Sequence, residues 1–170
     1  MIDYKHWDCK RQGVNLRLGN NVQATQGLFY EWGADEASYT LKNEDVIKDG
    51  NHYVSMYQVY MNSIDEYDAA LKIVGSMQHW RKLCNLEWFR EGIPQFSFDG
   101  LEQWRKDMEA RDKMKAKKLL IESAENGNVT AQKALYGPES SKSPGRKKKP
   151  EDKEQHSINP VAELAKIKES

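Results

Sequence analysis

Between Tyr53 and Phe98 the chain gathers large apolar side chains, Trp80, Trp88, Phe89, Phe96 and Phe98 among them, and breaks them at short intervals with turn residues. This pattern predicts several short helices sharing one compact module. Ser63-Ile64-Asp65-Glu66 has the form of a capping box and predicts a helix starting at Ile64. Tyr67, Ala70, Leu71 and Val74 follow at helical spacing, and Gly75-Ser76 supplies a left-handed stop and a new N-cap. Upstream, Val54, Tyr57 and Met61, with Tyr60 nearby, predict a first helix over residues 53–62 whose aromatics serve the core rather than a base-stacking platform.

Downstream of the turn, Met77, Trp80, Leu83 and Cys84 share one face of a helix over 77–84. The other face carries Gln78, Arg81 and Lys82, with His79 at its edge. The pair of helices around Gly75-Ser76 is similar to a helix-turn-helix, and side chains of these types bond to base edges and phosphates in a major groove. An ordinary solvated helix face accounts for the spacing equally well. Asn85 is the expected cap of a further turn carrying Trp88 and Phe89, stopped by Gly92-Ile93-Pro94. Asp99-Gly100-Leu101-Glu102 repeats the capping-box logic and opens a long helix that runs to about Glu125.

The apolar stripe of that helix begins with Leu101, Trp104 and Met108, is interrupted by Arg111, Asp112 and Lys115, and resumes with Ala116, Leu119 and Leu120. The middle is therefore expected to be exposed and the two ends to pack on different things. A helix of this kind can leave its domain and meet its copies, with Leu101, Trp104, Met108, Leu119 and Leu120 as oligomerisation contacts. Asn126-Gly127-Asn128 breaks it, and Val129 to Tyr136 folds back as a short helical hairpin partner.

The two ends read differently. Residues 1–52 are punctuated by Gly13, Gly19, Gly27 and Gly33, with strand-like alternation at Val14–Leu18 and a strand or buried loop at Gly27–Gly33. An arm with short strands that packs on a neighbour and a disordered leader fit this composition equally. A polar loop, Lys42 to Asn51, contains the turn pair Asp49-Gly50. From Gly137 the chain turns rich in proline and serine and carries the run Arg146-Lys147-Lys148-Lys149, a flexible basic linker by composition over 137–158. Asn159-Pro160 then caps a short amphipathic helix with Val161, Leu164 and Ile167 on one side, a docking peptide for a partner or a frayed end.

The fold class expected is thus mainly α. A helical module over 53–98 is followed by a long helix and hairpin over 99–136, with an irregular N-terminal arm, a basic tail and the 159–170 helix. The 170 residues carry 26 basic and 26 acidic side chains. The balance conceals segregation, because acidic residues lead before Asp99 and lysine and arginine gather in the late helix (Lys113, Lys115, Lys117, Lys118) and the tail. Two cysteines, Cys9 and Cys84, and the lack of a long apolar run predict a soluble protein of a reducing, intracellular compartment with no membrane partner. His6 with Cys9 and His79 with Cys84 offer zinc-type donors at a spacing that is not a finger's, so no metal is expected. Neither a GxxxxGK[ST] loop nor a dinucleotide fingerprint occurs, and the carboxylates are scattered, so no cofactor and no catalysis are expected. Binding to nucleic acid through Gln78, His79, Arg81, Lys82 and Arg146–Lys149 is the function with a physical rationale; a merely soluble charged surface is the plain alternative.

Ser55-Met56-Tyr57-Gln58-Val59-Tyr60-Met61, Glu66-Tyr67 with Ala69-Ala70-Leu71, His79-Trp80 with Leu83, and Trp88-Phe89 resemble the small terminase subunits of tailed bacteriophages. The stretch from Ser123 to Lys133 and the run Gly145 to Lys149 resemble the segment and basic tail that follow in such proteins. The likeness spans about Tyr39 to Lys149 and rests on packing and linker signatures. It implies a non-catalytic subunit, acting in the cytoplasm of the infected bacterial host and absent from the mature virion. Such a subunit forms a homo-oligomeric ring, binds viral double-stranded DNA at the packaging site and regulates the large terminase subunit's ATPase and nuclease. On this chain the resemblance places Gln78, Arg81 and Lys82 on DNA, the Leu101 helix in the ring, and Val161, Leu164 and Ile167 on the large subunit. A dimeric helix-turn-helix transcription regulator and a structural adaptor are the competing readings.

Overall fold

Asp49 and Gly50 both take positive φ, 51° and 81°, the two-residue geometry that matches the twist of an antiparallel hairpin. They join strand β2 (Val46–Lys48) to β3 (Asn51–Ser55) in the register Val46↔Tyr53 and Lys48↔Asn51. On its other edge β3 pairs in parallel with β1 (Tyr39–Thr40), giving the order β1-β3-β2. The computed structural model describes residues 2–137. Arg146–Lys149 and Val161, Leu164 and Ile167, with the linker and terminal-helix readings, lie outside the described residues.

The remainder is mainly helical: α1 (Met56–Met61), α2 (Glu66–Val74), α3 (Met77–Cys84), α4 (Glu87–Glu91), α5 (Leu101–Glu125) and α6 (Val129–Tyr136). The helix expected from Tyr53 begins three residues later, because Tyr53 to Ser55 complete β3 and Ser55 caps α1 by accepting from Gln58 N at 3.2 Å. Asp45 holds this junction, with one oxygen accepting from Ser55 N at 2.7 Å and the other paired with His52 Nε2 at 2.8 Å. The start of α2 also shifts. Ser63 Oγ donates to Val59 O at 2.8 Å, and Asp65 is the cap, accepting from Asp68 N, while Asp68 reaches back to Ile64 N at 2.9 Å. The box forms two residues later because the Ser63 hydroxyl finds its partner in the helix already made. Gly75 in the left-handed region and Ser76 as the cap of α3 stand as the spacing predicts. Two caps do not: Asn85 ends α3 while Leu86 precedes α4, and Gly100, not Asp99, precedes α5.

The N-terminal 52 residues are not an arm. Trp7, Cys9, Ala24, Leu28, Phe29, Tyr39 and Leu41 are all buried, and all but Cys9 belong to the same cluster as Val59, Trp80 and Phe89. Tyr39 shows how: its hydroxyl accepts from Trp7 Nε1 at 3.2 Å and donates to Ile73 O at 2.7 Å, tying the N-terminal segment to α2 through the sheet. Cys9 N donates to Lys72 O at 2.9 Å beside it. The physical reason is volume, since four helices of five to nine residues bury too little surface to stand alone. Gly27–Gly33 forms two 3-10 turns, Gln26–Leu28 and Tyr30–Trp32, and places Leu28 and Phe29 inside. Val14–Leu18 contributes one bridge, Arg17 to Gln23. On α2 the buried side is Ala69, Ala70, Ile73 and Val74, so Tyr67 and Leu71, expected inside, face solvent with Ile64.

Leu101, Trp104 and Met108 are core residues of the single chain, 0%, 1% and 8% exposed, and are not oligomer contacts. Trp104 packs on Tyr57, Tyr60, Phe89 and Phe98 at ring distances of 5.3 to 5.9 Å. At the next turns Arg111 donates to Met61 O at 2.6 Å and Ser63 O at 2.7 Å, clamping α5 to the carbonyl end of α1. Beyond it α5 is exposed through Leu119, and Leu120 is half-buried. Asn128 caps α6 by accepting from Thr130 N and Ala131 N, and Gln132 Nε2 donates to Ala124 O at 2.9 Å, so the two helices close as the expected hairpin.

Glu66 links three elements. Arg105 donates to both its oxygens, at 2.9 and 2.7 Å, and Trp80 Nε1 to one at 2.9 Å. The Arg105 bonds hold its carboxyl below the ordinary 4.5 despite partial burial, with Trp80 adding to the effect. Stability from this contact is therefore complete above that ordinary value and fades as the pH falls through the lower, folded one. Glu66→Gln is expected to cost about 1 kcal/mol near neutrality, a partly solvated pair being worth no more, and to flatten the acid limb of stability. Urea midpoints measured through the acid range check this; parallel curves for the two proteins would refute it.

Candidate nucleic-acid interface

Helix α3 turns Trp80 and Leu83 into the core and leaves Met77 and Cys84 half-buried. Gln78, Arg81 and Asn85 then share the solvent face at helical spacing, with half-buried Lys82 at its edge next to His79. Gln78 and Arg81 thus stand where the spacing places them. His79 does not: it is 2% exposed and its Nε2 bonds to Ala24 O. Burial, helped by the Lys82 and Arg17 charges and opposed by the Ala24 bond, holds its imidazole below the ordinary range. It positions the N-terminal segment on α3 and is withdrawn from the DNA-binding set. No helical period could reveal this, because the covering carbonyl comes from a segment 55 residues upstream.

That segment adds what the sequence reading left out. Lys82 Nζ reaches Gln23 O at 3.4 Å, so the short loop closed by Arg17↔Gln23 borders the exposed face of α3. Lys10 lies at the α2–α3 turn, its Cε 3.2 Å from where a Cβ on Gly75 would sit. Lys10 and Arg17 are exposed. The available signal was Gly19-Asn20-Asn21, a turn sequence between the alternating Val14–Leu18 and Val22.

Charge is distributed unevenly. Arg11, Arg90, Arg105 and Arg111 each have a carboxylate partner, as do Lys72, Lys113 and Lys118. Among the described residues Arg17 and Arg81 are the arginines with none within ion-pair distance, and Lys10 and Lys82 share that state with Lys5, Lys42, Lys48, Lys106, Lys115, Lys117 and Lys133. Among the lysines of the late helix, Lys113 pairs with Glu109 at 2.6 Å and Lys118 with Glu122 at 3.8 Å. Cys9 is buried with its Sγ directed at Leu71 O, while His6 bonds to Asp3 and Cys84 is half-buried; among the described residues no group of three or more potential ligands is gathered for a metal. No described helix is long and apolar enough to cross a membrane.

No protein-family model matches the chain, and neither the curated proteins nor the solved structures contain a match.

Proposed function

We propose that this protein is a non-catalytic small terminase subunit that binds double-stranded viral DNA with the solvent face of α3. On this reading α2, Gly75-Ser76 and α3 act as a helix-turn-helix, and Gln78 and Arg81 meet base edges while Lys82 meets phosphate. The observation that carries it is Arg81, exposed beside Gln78 on a helix whose opposite face is anchored by Trp80 and Leu83, with no carboxylate at ion-pair distance among the described residues. A guanidinium left in this state favours a polyanionic partner. The same reading assigns self-association to the distal part of α5 and to α6, where Met114, Leu119, Val129 and Tyr136 are 60% or more exposed. It assigns Arg146–Lys149 to phosphate contact and the Val161, Leu164, Ile167 stripe to the large subunit, in the cytoplasm of an infected host cell.

Arg81→Ala with Lys82→Ala tests the proposal. Fluorescence anisotropy on a duplex from the genome end, across a salt series, is expected to show weaker binding and a salt slope smaller by about 1, for the Lys82 phosphate contact removed. Unchanged affinity in the double variant sinks it. Native mass measurement separates the readings further, because a ring of many copies agrees with packaging and a dimer on a short palindrome indicates a transcription regulator.

A further inference from the structure

We propose that the N-terminal loop closed by Arg17 and Gln23, together with Lys10, forms the second half of the DNA-binding face and grips the phosphate backbone beside α3. This extends the DNA-binding reading above and rests on it. Two contacts hold the loop against the helix, His79 Nε2 on Ala24 O and Lys82 Nζ on Gln23 O at 3.4 Å, while Ala24 N donating to Leu16 O at 3.0 Å ties the loop's two limbs together. Both helix contacts join α3 side chains to backbone carbonyls of the loop's return limb, so the loop is anchored directly on α3.

Its tip is built to project. Leu18 N donates to Val22 O at 2.8 Å, Asn21 N to Leu18 O at 2.7 Å, and Asn21 takes a positive φ of 62°. Arg17 Nη1 bonds Asn21 O at 2.9 Å and its side-chain oxygen at 3.1 Å, which fixes the guanidinium on the turn and leaves its other nitrogens without a hydrogen bond among the described residues. Arginine held in this way presents a preorganised fork suited to phosphate oxygens. Arg17 and Arg81 are the two described arginines without a carboxylate partner. They belong to segments locked together through His79 and Lys82, and Lys10 lies at the turn that precedes α3. Two carboxylates, Asp35 and Glu36, share a cavity with Arg17, and Glu36 is engaged by Asn15; they mark where the cationic face ends. A cationic loop flanking a helix whose outer side is polar matches duplex DNA, whose backbones rise on both sides of the groove that a helix occupies.

The test uses the full chain and the same duplex. Lys10→Ala with Arg17→Ala is expected to weaken binding about tenfold at physiological salt and to lower the salt slope by about 2. Because Arg17 also braces the turn, Asn20→Asp serves as a second variant. It keeps the oxygen that accepts from Val22 N at 3.2 Å and adds one negative charge at the tip, so it should weaken binding with the fold intact. If both loop variants bind like the parent while Arg81→Ala with Lys82→Ala binds weakly, the loop inference is overturned and DNA binding through α3 stands. If neither the loop nor the helix variants change affinity, the DNA-binding reading fails as well.

Discussion

Trp104→Ala is expected to lower folding stability by about 3–5 kcal/mol, the range for truncating a large buried aromatic. The indole is 1% exposed and touches the rings of Tyr57 and Tyr60 on α1, Phe89 on α4 and Phe98 in the loop before α5, three separate parts of the chain. Removing it leaves a cavity at the point where α5 joins the module, and none of those neighbours can follow without abandoning its own contacts, such as Phe89 on Trp80 at 5.7 Å. Urea or thermal unfolding of the single chain reads the effect. A loss of subunit association with stability unchanged would instead return Trp104 to an intersubface role. Leu119→Glu is the matching comparison, since Leu119 is 66% exposed and a charge there should leave the subunit's stability within about 0.5 kcal/mol.

Gly92→Ala and Gly100→Ala are each expected to cost about 3 kcal/mol or more, by two independent effects. Both residues sit in a backbone region open essentially to glycine alone, φ 97° and ψ 173° at Gly92, φ 86° and ψ 162° at Gly100. They also face each other across the loop that joins α4 to α5. A Cβ on Gly92 would stand 2.4 Å from Phe98 O, and one on Gly100 would stand 2.5 Å from Arg90 O. The crowded atoms are backbone, so no side-chain rotation relieves them, and the bonds from Ile93 N and Phe98 N that close this loop would have to open. Chemical unfolding of the two single variants checks this, with Gly19→Ala as a control at a position with open space around it. Equal stability of all three would refute the account.

Local signals were legible wherever the chain carries its own partner. The Gly75-Ser76 junction, the face of α3 that buries Trp80 and Leu83, the extent of α5, and the Asn126-Gly127-Asn128 break with α6 after it all follow from residues within a few positions of one another. The misplaced features share a cause. Ser63 and Asn85 have the side chains of caps, but the Ser63 hydroxyl is taken by the end of α1, and Asn85 closes α3 through its backbone N–H, one residue before the cap of α4. Tyr67 and Leu71 fit a helical stripe, yet the side of α2 that met the N-terminal segment and α3 was the one lined by Ala69 and Ile73. Of the candidate site, Gln78 and Arg81 were readable from period alone; the burial of His79 and the presence of Lys10 and Arg17 beside α3 were not, because both depend on a segment far away in the chain.

By itself, then, the sequence determined the helical character, the positions of the sharp turns and the polar outer face of α3, since these arise from backbone preferences and side-chain bonds spanning three or four residues. Tertiary structure alone decided that the first fifty residues complete the core, that the stripe of Leu101, Trp104 and Met108 is spent within one subunit, and that Lys10 and the loop bearing Arg17 lie beside α3. Those outcomes turn on which apolar surfaces are available to cover one another. Burial is non-directional and proportional to area, so a stripe of apolar side chains specifies that it will be covered without specifying by what.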